Sequence, residues 1–131
     1  MIISEFFIRG FGIFSEESLG SLPKGLILLS GDNESGKSTL RRFLKSALYG
    51  MEGKKGPIDK PLGTGTHGGM LTVRMENGRS WRFILKGRKA HIHDADGHSV
   101  DLSPQHLLGG VDERLFSRIF CLGLEDLWEG E

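Results

Sequence analysis

Gly31, then four residues, then Gly36, Lys37 and Ser38: within "GDNESGKSTL" this spacing carries the chemistry of gripping phosphate. Successive backbone N–H groups in such a loop can point at one spot, and a helix that follows adds the positive end of its dipole. Gly31 and Gly36 let the backbone approach an anion with no Cβ in the way. Lys37 is placed to reach the β- and γ-phosphates of a nucleotide. The Ser38 hydroxyl is suited to ligate Mg²⁺, and Thr39 can add a contact to the α-phosphate. The plain alternative is a glycine-rich turn that caps a helix. An apolar strand before the motif and an amphipathic helix after it favour nucleotide binding.

Which nucleotide, and which reaction, are separate questions. No Asn-Lys-x-Asp occurs, so nothing selects guanine. Hydrolysis needs an acidic residue after an apolar strand, to hold Mg²⁺ and polarise water. The nearest candidate is Glu125-Asp126 after "IFCLGL", but Gly123 interrupts that run. The pair reads better as an exposed helix start, where acids are favoured. The binding half is present and the hydrolysing half is not evident.

Two other clusters invite chemistry. "HIHDADGH" offers His91, His93, Asp94, Asp96 and His98 to a metal. A polar strand running into an Asp-x-Asp-Gly turn is preferred, because Zn²⁺ sites usually add Cys or a second His pair at helical spacing. Arg79, Arg82, Lys86, Arg88 and Lys89 form a basic run with no acid before Asp94. Arg82 and Lys86 fall on one strand face and Trp81, Phe83 and Leu85 on the other. Such a face can follow a DNA backbone, but a solvated sheet face is the commoner explanation. Lys54, Lys55 and Lys60 are weighed the same way. His67, among glycines, reads as loop.

The elements that must position these residues follow from periodicity. "IISEFFIR" (2–9) reads as a strand and "GFGIF" (10–14) as a turn. "KGLILLSGD" (24–32) is a continuous apolar run bounded by Gly, which predicts a strand buried on both faces. Leu40, Phe43, Leu44, Ala47 and Leu48 mark one face of a helix that stops at Gly50, with Arg41, Arg42 and Lys45 opposite. Residues 51–69 are a glycine-rich loop, expected to be mobile. The period then becomes two, predicting an antiparallel meander over 70–76, 79–86 and 89–95. Asn77-Gly78 predicts a hairpin turn with positive φ at both positions; Gly87-Arg88 and Asp96-Gly97 serve the later turns. Ser103 and Pro104 open a short helix, Asp112 caps a second ending near Arg118, and 119–124 is expected to be a last strand.

The chain has 131 residues, with 17 basic and 17 acidic side chains and no internal repeat. A neutral chain is not driven onto nucleic acid by bulk charge, so a DNA contact needs a local patch. Cys121 is the single cysteine and reads as a small buried hydrophobe. No signal peptide is evident, and no apolar run approaches the ~20 residues that span a bilayer. The expectation is a soluble, cytoplasmic protein of one domain, without a membrane partner. Its parts are 1–50 (strand, phosphate loop and helix), 51–69 (loop), 70–102 (meander) and 103–131 (short helices and final strand).

The strand, "GFGIF", "LILLSGDNESGKSTL", "FLKSALYG", "HGGML", the meander with its D-x-D-G turn, "LLGGVDERLF" and "IFCLGLEDL" together resemble the N-terminal head of SMC/SbcC/RecF-type ATPases. The likeness is nearest to the YhaN-like branch and covers nearly the whole chain. It implies an α/β fold, the N-terminal lobe of an ABC-type P-loop NTPase head with an antiparallel β meander, binding ATP and Mg²⁺. Gly31, Asn33, Glu34, Ser35, Gly36, Lys37, Ser38 and Thr39 match the family's phosphate-loop positions. Gly12-Ile13 lies where relatives meet the nucleotide near base and sugar. The resemblance also implies a C-terminal lobe bearing the signature motif and the Mg²⁺-polarising acids, and a second head, since two heads sandwich two ATP molecules. DNA is implied as a partner, often beside a nuclease. The chain shows no signature motif, second acidic motif or coiled-coil heptads, so an excised first lobe, inactive alone, is the expectation. The arginine that relatives carry near Gly12 is represented only by Arg9. The glutamine that in relatives senses Mg²⁺ has no counterpart near 125–128; the single Gln is Gln105. Phe116, Phe120, Leu122 and Leu127 are expected in the core, and a patch around Leu124–Trp128 is expected to be exposed and to drive self-association. Two other functions remain open on residues alone: a free-standing P-loop kinase or transferase, and a nucleotide-independent DNA-binding or interaction module.

Overall fold

A computed structural model describes residues 1–25, 27–32, 36–51, 59–63 and 65–119. The chain divides into two compact units, 1–101 and 102–131. The first holds β1 (Ile2–Phe11), β2 (Phe14–Leu19), α1 (Lys37–Tyr49), β3 (Gly68–Arg74), β4 (Ser80–Lys86) and β5 (Lys89–Asp94). The five strands form one antiparallel sheet in the order β2-β1-β3-β4-β5. The meander is therefore real, and the first strand joins it directly.

The sheet has one dry face because apolar residues alternate along its strands. Trp81, Phe83 and Leu85 of β4 are buried, as are Leu71 and Val73 of β3, Phe6 and Ile8 of β1 and Ile92 of β5. The period of α1 matches this face: Phe43, Ala47 and Leu48 are buried beneath it. Phe43 is the peg. Its ring lies 5.5 Å from Phe11, edge-on, and 6.4 Å from Phe6. Arg82 on the opposite face of β4 is half-buried and Lys86 is exposed. The helix stops at Gly50, whose N–H donates to Ser46 O at 2.7 Å, and Met51 N–H then reaches Arg88 O at 2.7 Å.

Three expectations are corrected. The run at 24–32 is not a buried strand: its described residues, 24–25 and 27–32, carry no strand, and Leu28 is 86% exposed. An apolar run records that something should cover it, and no strand of this sheet pairs with it. Residues 14–19, whose strand the sequence hides, form edge strand β2, paired to β1 through Phe11↔Phe14 to Phe6↔Leu19. The Asn77-Gly78 turn has positive φ only at Gly78. Met75 N–H donates to Arg79 O and Gly78 N–H to Met75 O, which makes a three-residue loop closed by a left-handed glycine.

The second unit holds α2 (Pro104–Leu107) and α3 (Glu113–Ile119). Ser103 Oγ caps α2 by accepting from His106 N–H at 3.1 Å, and Asp112 Oδ1 caps α3 by accepting from Leu115 N–H at 2.8 Å. Ile119 thus belongs to a helix rather than to a strand, and Phe116 is half-buried. Residues 120–131, with Cys121, Glu125, Asp126 and the expected patch, lie outside the described residues. No helix among the described residues is long and apolar enough to cross a membrane.

Because Phe43 is wholly buried against two other rings, Phe43→Ala should destabilise the chain by about 3–5 kcal/mol. Urea denaturation reads this as a lower midpoint; an unchanged midpoint would remove Phe43 from the core.

Candidate functional site

The phosphate loop ends where α1 begins. Gly36 is the N-cap, with φ 96°, a left-handed conformation that suits glycine. A Cβ there would stand 2.7 Å from Ile13 Cδ1 and 2.7 Å from Phe14 Cζ, so the β1–β2 corner presses on the loop. The first helical bond runs from Leu40 N–H to Gly36 O at 2.8 Å. The amides of Lys37, Ser38 and Thr39 precede it. Among the described residues no side chain caps this end, and no acid lies in the first turn. Uncapped amides at a positive dipole end are what an anion needs.

Lys37 Nζ donates to Gly31 O, so the ammonium returns to the start of the loop and spans its two ends. Lys37 and Ser38 are exposed and Thr39 is half-buried. Gly31, Gly36, Lys37, Ser38 and Thr39 are thus gathered at one helix start, while Asn33, Glu34 and Ser35 lie outside the described residues.

The sequence did not reveal what surrounds Thr39. Arg42 donates to Asp59 through Nε and Nη2, both at 2.9 Å, and Nη2 also donates to Thr39 Oγ1 at 3.1 Å. The sequence alone places Arg42 only on the polar face of the helix. Its separation of three residues from Thr39 is the signal that was available, since such neighbours share a helix face. Asp59 is 17 residues further on, in the glycine-rich loop, and nothing local marks it. Likewise His67 is more than loop: its ring stacks on Phe11 at 5.3 Å, and both ring nitrogens are buried without a hydrogen-bond partner. In the basic run, Arg79 stacks over Trp81 at 4.7 Å.

A Gly-x4-Gly-Lys-Ser segment feeding an α-helix that packs on a five-stranded antiparallel sheet is an α/β arrangement suited to nucleotide binding. Comparison with known families agrees: residues 1–131 match the family described as AAA domain, and the chain belongs to this family of P-loop ATPases. Nucleotide binding of ATPase-like character therefore stands on the family as well as on the motif. No curated protein and no solved structure matches the chain.

The His/Asp cluster separates into two parts. Asp94, Asp96 and His98 come within 4.8 Å of one another through their ligand atoms. The backbone contacts there are those of a turn, and His98 Nδ1 lies 3.6 Å from Asp94 Oδ2. Asp94 Oδ1 accepts from His98 N–H at 2.9 Å and from Asp96 N–H at 3.0 Å, and His93 Nδ1 lies 3.1 Å from Gly97 O. The His98 amide, opposed by partial desolvation and aided by the Asp96 amide, holds the Asp94 carboxyl below its ordinary value of 3.8. A depressed folded value means that the carboxylate's contribution is complete above 3.8 and is lost as pH falls through the lowered value. Asp94→Ala should therefore lower the melting temperature at neutral pH, with the gap from the parent closing in acid. A gap that stays constant with pH would separate Asp94 from the turn's stability.

Proposed function

We propose that this chain is the ATP-gripping lobe of an ATPase head of the SMC/SbcC/RecF kind, nearest the YhaN-like branch. The observation that carries this is the uncapped helix start at Gly36, with the Lys37 ammonium turned over the loop toward Gly31. The donor set fits Mg²⁺-ATP: amides and one ammonium for phosphate oxygens, and the Ser38 hydroxyl for the ion. Ser38 would hold the ion, whose positive charge would offset that of the phosphates. Lys37 would leave the Gly31 carbonyl for the phosphates, and Thr39 would donate to the innermost one. In this role Lys37 is the chain's own catalytic residue, because its charge is the one placed where negative charge develops.

A C-terminal lobe and a second head complete the proposed machine. Ile27, Leu28 and Leu29 support the first partner, since a run composed like a doubly buried strand is exposed here and would be covered by strands from that lobe. DNA is the proposed substrate of the assembled heads, which would act in DNA repair or chromosome maintenance with a nuclease as a possible companion. The outward cations of β4, Arg82 and Lys86, are a place on this lobe where a backbone could lie.

Titration of a fluorescent ATP analogue with Mg²⁺ should show saturable binding. Lys37→Ala should weaken it roughly tenfold or more, the effect of removing a charged donor. Phosphate release by the chain alone should be no faster than by Lys37→Ala, because no polarising acid is evident. Steady turnover abolished by Lys37→Ala would place that acid within these residues; absence of any binding would refute the nucleotide reading.

A further inference from the structure

Three segments meet at Thr39: the β1–β2 corner, the first turn of α1 and residues 59–62. The Thr39 methyl lies against the corner, where a Cβ on Gly12 would stand 2.8 Å from Cγ2. The hydroxyl accepts from Arg42 Nη2 at 3.1 Å. Arg42 is aimed by Asp59, each carboxylate oxygen taking one guanidinium N–H at 2.9 Å. Asp59 is fixed in turn, because its carbonyl accepts from Gly12 N–H at 3.0 Å, and Gly12 O accepts from Leu62 N–H at 3.0 Å.

This arrangement dictates what the hydroxyl can do. A two-point guanidinium–carboxylate fork fixes direction as well as distance. With one lone pair of Oγ1 occupied by a cationic donor, the Thr39 proton turns elsewhere, and polarisation strengthens it as a donor. Thr39 sits in the same uncapped turn as Lys37 and Ser38. We propose that Arg42 and Asp59 are positioning residues for the nucleotide: they hold the Thr39 hydroxyl as a pre-aimed donor to a phosphate oxygen. The inference rests on the nucleotide-binding reading and adds two residues that the phosphate-loop motif does not contain. The same clasp ties residues 59–62 to the mouth of the loop.

A surface ion pair that serves stability alone would behave differently. Side chains of Arg42 and Asp59 are 46% and 21% exposed, a setting in which an isolated pair contributes little to folding. Its measurable effect should lie in binding.

The test is a double-mutant cycle by calorimetry, with Mg²⁺-ATP titrated into the full chain. Asp59→Asn and Arg42→Gln should each weaken binding roughly three- to tenfold in the parent. The loss should persist in Thr39→Ser, which keeps the hydroxyl, and vanish in Thr39→Val, which removes it. Arg42→Lys keeps charge and helix propensity but not the fork, and should fall between the parent and Arg42→Gln. Far-UV circular dichroism identifies any variant that does not fold, and Arg42→Lys, the mildest change, carries the cycle in that case. Equal affinity in the parent and the Asp59 and Arg42 variants overturns the inference while leaving nucleotide binding intact. So does an undiminished loss in Thr39→Val. If the parent itself takes up no Mg²⁺-ATP, the underlying reading fails and the inference with it.

Discussion

The contact between the β1–β2 corner and the start of α1 governs this molecule. It exists because two positions lack a Cβ: Gly12 rests on Thr39, and Gly36 rests on Ile13 and Phe14. A methyl group at either position would sit under 3 Å from its neighbour, and both backbones are left-handed. The loop's helical end is therefore set by the sheet rather than by itself. From the far side Phe43 pins the same helix among Phe6 and Phe11. A cradle for phosphate must not have to organise itself when the ligand arrives, and a helix pinned at two points supplies that preorganisation.

The upstream arm of the loop is built differently. Residues 27–32 lead into it without strand partners, and Leu28 stands in water. One arm is packed against the β1–β2 corner, and the other carries exposed apolar surface, which in the proposed head the C-terminal lobe would cover. A nucleotide bound between the arms would sense both. In the proposed head, occupancy and lobe docking thus share a single segment.

Much of the architecture could be read from the chain because its signals are local. The 3.6 period from Leu40 to Leu48 gave α1, and the period of two gave the meander with Trp81, Phe83 and Leu85 inward. Ser103 and Asp112 announced their helices through side-chain caps that the structure contains. The failures also have physical causes. The 24–32 run has strand composition, but composition cannot say which chain provides the cover. Edge strand β2 reads as polar because pairing with β1, not burial, makes it a strand. At the candidate site, the residues expected to hold phosphate are contiguous, so the motif can be read from the sequence. Asp59 pairs with Arg42 across 17 residues, and no pattern in the sequence marks a contact of that kind.

Amide hydrogen exchange with and without Mg²⁺-ATP tests the central claim most directly, namely that this pinned helix start is where phosphate is held. The account requires the nucleotide to slow exchange at the amides of Gly36, Lys37, Ser38 and Thr39, which precede the first bond of α1, with protection reaching the Gly12 corner. Protection confined to other segments, or none at saturating nucleotide, would contradict it.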